Sequence, residues 1–188
     1  MSKVHITALG LLHEKPRHGY ELQNVVKERH LNHWANVNPN SVYKALQTLE
    51  MKGFIAGREE TDGNNPPRTV YSVTDEGKAE LRRLVLHYLV KPNHPGDFWI
   101  GSAFMLGVLK KSEYLAIVDQ MIQNINKHRA AEIVERHQHM AMYETIPFNW
   151  IKLMELGEAM TKTMLDQMVE LRKAAEACDK PKYFLPEE

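Results

Sequence analysis

A mainly α fold carrying one small β-hairpin is what this 188-residue sequence predicts, from three observations. Apolar residues recur at spacings of three and four over most of the chain, as amphipathic helices require. Residues 54–73 differ: two short extended segments flank TDGNNPP, a stretch that neither a helix nor a strand interior accepts. A Pro/Gly-rich segment, KPNHPGD (91–97), then separates short elements from two long helical patterns. The expected domains are 1–90 and 91–188.

In order, KVHITALGLLH (3–13) reads as a short apolar helix despite Gly10, and EKPRHG (14–19) as a turn. YELQNVVKERH (20–30) gives a second helix, with Leu22, Val25 and Val26 at helical spacing, and LNHWANVN (31–38) a loop. Asn38 should cap a third helix, with Pro39 at its first position, where a missing N–H costs nothing. Val42, Ala45, Leu46 and Leu49 form the buried stripe of that helix, and Gly53 ends it. Strands at 54–60 and 68–73 follow. Thr74 then caps a fourth helix whose first turn carries Asp75 and Glu76, where the helix dipole favours acids.

Three helices and a hairpin within about 70 residues make a winged helix-turn-helix. Its third helix offers a polar, lightly basic outer face: Asn38 as the cap, then Asn40, Ser41, Lys44, Gln47 and Thr48. Small residues at a helix N-terminus allow close approach to phosphate, and such a face suits the major groove of double-stranded DNA. The hairpin would reach the flanking backbone, led by Arg68.

Composition permits this reading without demanding it. There are 24 basic and 24 acidic residues; residues 1–90 hold 12 and 10 of them (12 − 10 = +2), and residues 91–188 the remaining 12 and 14 (12 − 14 = −2). The single cysteine, Cys178, excludes a disulfide framework. No segment has the order of a signal peptide or the length of a membrane span, so a cytoplasmic protein without membrane partners is expected.

The segments LGLLHEKPRHGYEL (9–22), NPNSVYKALQTLEMKGFI (38–55) and RTVYSVTDEGKAEL (68–81) together resemble the PadR family of bacterial transcriptional regulators. The second half is similar to the larger PadR subfamily, whose helical tail interlocks with that of a second subunit. The resemblance implies a homodimer that represses genes from a pseudo-palindromic operator. It also implies DNA contacts at Asn40, Ser41, Tyr43, Lys44 and Gln47, wing contacts between Gly63 and Arg68, and Tyr20 against phosphate. The wing departs from the family's Gly-x-Pro-x-Arg/Lys, reading Gly-Asn-Asn-Pro-Pro-Arg.

In the second half, FWIGSAFMLGVL (98–109) is a short apolar segment behind Asp97, a candidate cap. Ser112 and Glu113 open a long helix to about residue 139, and Pro147 precedes another over roughly 148–177. Leu115, Val118 and Ile122 on the first, with Leu153, Met160, Met164, Met168 and Leu171 on the second, form stripes that want a second copy of the chain. Phe98, Trp99, Trp150 and Met154 are candidate contacts for a small aromatic effector, although aromatic and Met stripes also serve as ordinary core.

Two rival readings differ in class. One is a winged helix used only for protein contacts. The other is an enzyme with metal chemistry at His128, Glu132, Glu135, His137 and His139. Against it, His137 and His139 point to different sides of a helix, and no metal, phosphate-loop or nucleophile-elbow motif occurs. No catalytic residue, metal or cofactor is expected.

Overall fold

The computed structural model describes residues 2–60, 68–90, 95–142 and 146–187. It divides into two compact units, Met1–Leu109 with Lys182–Leu185, and Lys110–Pro181 with Pro186–Glu188.

The first unit contains α1 (Lys3–Glu14), β1 (Arg17–His18), α2 (Gly19–Glu28), α3 (Leu31–Trp34), α4 (Val42–Met51), β2 (Ile55–Glu60), β3 (Arg68–Val73), α5 (Asp75–Val90) and α6 (Pro95–Ala103). Its core is aliphatic: Ile6, Leu9, Leu11, Leu22, Leu46, Leu49, Leu81 and Leu89 are fully buried. Each such side chain contributes about 1.5–3 kcal/mol when removed from water. Gly10 sits inside α1 because the Phe104 ring lies on it; a Cβ there would stand 2.2 Å from that ring.

The sheet has three antiparallel strands in the order β1-β3-β2, so the expected hairpin is two-thirds of it. β2 and β3 pair from Ile55↔Val73 to Glu60↔Arg68. β1 adds Arg17↔Tyr71 and His18↔Val70, inside the segment expected to be a turn. What holds this short strand is Arg17, buried despite its charge, whose guanidinium donates to the Leu11 carbonyl and, at 2.9 Å, to Glu14 Oε2. Burying an arginine is tolerable only with such partners. The expected loop 31–38 also holds a surprise: α3 forms after His30 takes the left-handed conformation (φ 52°), and Trp34 Nε1–H donates to the Arg29 carbonyl at 3.0 Å.

Other predicted details are present. Gly53 (φ +72°) ends α4, and Thr74 caps α5 by accepting the Gly77 N–H at 3.0 Å while donating to the Gly53 carbonyl at 2.7 Å. Asp97 does not cap. It lies within the first turn of α6, nearly buried, and pairs with Lys3 at 2.7 Å. Because α6 packs on α5, with Gly101 against Leu89, the first unit extends to Leu109 rather than ending at residue 90. The tail closes it: Gly107 N–H donates to the Tyr183 carbonyl at 3.1 Å, and Leu185 N–H to the Leu109 carbonyl at 2.9 Å.

The second unit is a pair of long helices, α7 (Lys111–Met142) and α8 (Phe148–Ala177), packed on each other. Asp119 meets Arg172 at 2.6 Å and Glu158 lies 3.9 Å from Arg129, a register only an antiparallel pair gives. Glu187 accepts both the Ser112 N–H (2.8 Å) and its hydroxyl (2.7 Å) at the start of α7.

Candidate nucleic-acid interface

Ahead of α4 the backbone makes a 3-10 turn, Pro39–Ser41, rather than entering the α-helix directly. Asn38 caps it, its Oδ1 accepting the Asn40 N–H at 2.9 Å, so this side chain is spent on the fold. Asn40, Lys44 and Gln47 are exposed, Ser41 is half-buried and Tyr43 is 48% exposed, while Val42, Ala45, Leu46 and Leu49 face the core. The ring of Tyr43 lies along Gly19, where an added Cβ would come within 2.8 Å of it. A glycine at the first residue of α2 thus lets the two helices of the motif meet closely.

The foot of the wing is built from aromatic and basic groups. His18 and Tyr20 stack with centroids 5.5 Å apart and planes 14° from parallel. The Arg68 guanidinium carbon stands 5.6 Å from the Tyr20 ring centroid, and His18 Nδ1 is 3.1 Å from the Thr69 carbonyl oxygen. Glu21 turns back to accept the His18 N–H at 2.8 Å, fixing the start of α2. Burial, and then the nearby Glu50 carboxylate and Tyr43, push the Tyr71 phenol up. Arg58, by contrast, pairs with Glu60 along the same strand.

The structure thus brings Tyr20, Asn38, Asn40, Ser41, Tyr43, Lys44, Gln47 and Arg68 onto the helix-turn-helix and wing foot of one unit. The expected wing contacts from Gly63 to Pro67 lie outside the described residues. Sequence reasoning missed His18 and Gln23. Gln23 donates from Nε2 to the Pro39 carbonyl (3.4 Å) and to Asn40 Oδ1 (3.2 Å), a link across 17 residues that no local spacing announces.

Residues 8–83 match the family model "Transcriptional regulator PadR-like family". Over that segment the chain is similar to PadR-like regulators. PadR-like regulators are not enzymes, in agreement with the motif-based exclusion. A curated relative, "Negative transcriptional regulator PadR" of Bacillus subtilis (strain 168), is 26% identical over 115 residues; the match takes in 61% of this chain and 63% of that protein. Among solved structures, Bacillus subtilis PadR in complex with operator DNA is similar at 20% identity and a TM-score of 0.42, over 91% of this chain and 98% of the other. A putative transcriptional regulator from Thermoplasma acidophilum, TA0346, is 32% identical over 42% of this chain and 72% of its own, with a TM-score of 0.37.

The long helices α7 and α8 lie outside the PadR-like match. Of the residues expected at a dimer interface, Val118 (0% exposed) and Met168 (8%) are buried in the single chain, as a two-helix core requires. Leu115, Ile122 and Leu171 are half-buried, whereas Leu153, Met160 and Met164 are exposed, and Leu156 joins them unforeseen. The expected effector residues divide between the two units. Phe98 is core of the first unit at 3% exposure, and Trp99 beside it faces outward at 51%; Trp150 and Met154 belong to α8 of the second. No group of three metal-ligating side chains occurs among the described residues, and no helix there is long and apolar enough to cross a membrane. His128 is exposed on α7, while the side chains of Glu132, Glu135, His137 and His139 lie outside the described residues.

Proposed function

We propose that this protein is a sequence-specific DNA-binding repressor that acts in the cytoplasm as a homodimer on a two-fold operator and is released by a small aromatic effector. The observation that carries DNA binding is the division of α4 and the 3-10 turn ahead of it into a buried stripe, Val42, Ala45, Leu46 and Leu49, and an exposed face bearing Asn40, Lys44 and Gln47. A surface helix of this kind fits the major groove, where side-chain donors and acceptors distinguish all four base pairs. Tyr20 and Arg68 at the wing foot add an aromatic platform and a cation suited to the sugar-phosphate backbone.

Dimerisation rests on α8. At 100° per residue, Trp150, Leu153, Leu156, Met160 and Met164 share about 120° of helix circumference, and all are exposed in the single chain. An apolar stripe of this extent seeks a partner surface, and a two-fold copy supplies one. To reach successive major grooves, such a dimer needs its recognition helices about 34 Å apart, one turn of DNA. An effector that repacks the helical part would alter that spacing and so weaken operator binding; Trp150 is an exposed aromatic that it would meet there.

The test is fluorescence anisotropy of the purified protein on a duplex from its own upstream region against a scrambled duplex, over a salt series. Tighter binding to the native duplex that weakens steeply with salt supports the reading. Equal, weak binding to both, with a pull-down recovering a protein instead of DNA, would favour a winged helix used for protein contacts.

A further inference from the structure

The wing foot sets two nitrogen-bearing side chains against one aromatic ring. The Arg68 guanidinium carbon stands 5.6 Å from the centroid of Tyr20, and the His18 ring stacks on Tyr20 with centroids 5.5 Å apart. His18 precedes α2 without a side-chain capping bond, and its Nδ1 lies 3.1 Å from the Thr69 carbonyl oxygen. A carbonyl oxygen can only accept, so Nδ1 carries the hydrogen of that bond. In the neutral ring this leaves Nε2, on the far side of the imidazole, as a bare acceptor. Nε2 has no hydrogen-bond partner among the described residues, and His18 is half-buried rather than enclosed. The charged and titratable groups about it are Arg17 on its own strand, Tyr20 and Glu21 on α2, and Arg68 and Tyr71 on β3. Arg17 is spent on Glu14 and the Leu11 carbonyl, and Glu21 on the His18 backbone N–H.

We infer that His18 is a phosphate contact of the wing foot that forms only when Nε2 takes up a proton, so that DNA binding is proton-linked. The inference rests on the DNA-binding reading above. Phosphate oxygens, like a neutral Nε2, only accept hydrogen bonds, so the two cannot pair until Nε2 is protonated. Histidine is the side chain whose charge changes between about pH 5 and 8. Protonation keeps the Nδ1 bond to Thr69, and the face of the Tyr20 ring favours a cation, so the wing foot need not rearrange. By linkage, the proton does for DNA what DNA does for the proton, and affinity rises as the pH falls. Arg68 supplies the permanent charge of this foot and His18 a conditional one.

The experiment begins by enriching a duplex from a randomised pool with the wild-type protein, then follows its affinity from about pH 8 to about pH 6. The comparison variants are His18→Asn, whose amide nitrogen can still bond the Thr69 carbonyl, and His18→Gln; neither side chain titrates. Over that range the wild type should gain about tenfold more affinity than either variant, the scale of one charged hydrogen bond. Its salt slope should also steepen by about one per chain, and the variants' slopes should not. Calorimetry in buffers of different ionisation heat should show the wild type taking up more protons on binding than the variants. The other histidines are common to all three proteins and cancel in the comparison, and equal melting temperatures show the fold is intact. A merely structural His18 would weaken binding equally at every pH. That result, or equal proton uptake in wild type and variants, would overturn the inference while leaving sequence-specific binding in place. A pool that enriches no sequence at all would sink the functional reading itself, and this inference with it.

Discussion

Lys44 stands on the exposed face of α4, and Arg68 opens β3 above the Tyr20 ring. If both neutralise phosphates, Lys44→Ala and Arg68→Ala should each lower the slope of log affinity against log salt by about one, and their effects should add. Arg68→Ala should in addition cost about 0.5–1 kcal/mol of stability through the lost cation–π contact, whereas Lys44→Ala should leave the melting temperature where it is. Two glycines give a sharper contrast. A Cβ at Gly77 would lie 1.9 Å from the Phe54 carbonyl oxygen, a backbone atom that cannot step aside, so Gly77→Ala should destabilise by about 3 kcal/mol or more. A Cβ at Gly10 meets Cδ1 and Cγ of Phe104 instead, side-chain atoms that a turn about χ1 can displace as a backbone carbonyl cannot, so Gly10→Ala should cost less. Chemical denaturation of the two variants side by side would reverse this account if Gly10→Ala proved the worse.

Glu14, at the end of α1, receives Arg29 through two bonds of 2.7 and 2.8 Å and Arg17 at 2.9 Å, tying α1 to both β1 and the end of α2. Burial pushes its carboxyl up, but the Arg29 and Arg17 bonds and charges together outweigh that and hold it below the ordinary glutamate range. A folded-state value below the unfolded one stabilises the protein above the unfolded value, and the gain is lost as the pH falls through the folded one. The melting temperature should therefore drop below about pH 4, and Glu14→Gln should flatten that part of the profile; an identical acid limb in the variant would exclude the clasp. These same links explain what was legible. α4 could be read because cap, stripe and terminating glycine are all local. β1 could not, since two residues carry no periodicity and their strand depends on where Arg17 finds partners. α6 was masked by Pro95 and Gly96, which look like a linker until Asp97 meets Lys3. At the site, Asn40, Lys44 and Arg68 were legible as exposed polar residues of a recognisable motif, but the Gln23 bond that orients Asn40 was not.

At the scale of the molecule, the helical periodicity of α8 carried two meanings that spacing alone does not separate. Met168 and Val118 close the two-helix core, and Leu153, Leu156, Met160 and Met164 stay outside it. If α8 mediates the proposed dimer, Leu156→Glu with Met160→Glu should shift the protein to monomer in sedimentation while its helical content holds, and weaken operator binding as the second half-site contact is lost. Retention of the dimer would place the interface elsewhere. The return of residues Lys182–Leu185 to Gly107 and Leu109 has a consequence for how the protein is made. A ribosome delivers the DNA-binding half first, yet the last hydrogen-bonding partners of that half emerge only after both long helices have been synthesised. Nascent chains would thus carry a nearly finished reading head whose final seam stays open until residues 182–185 have been made.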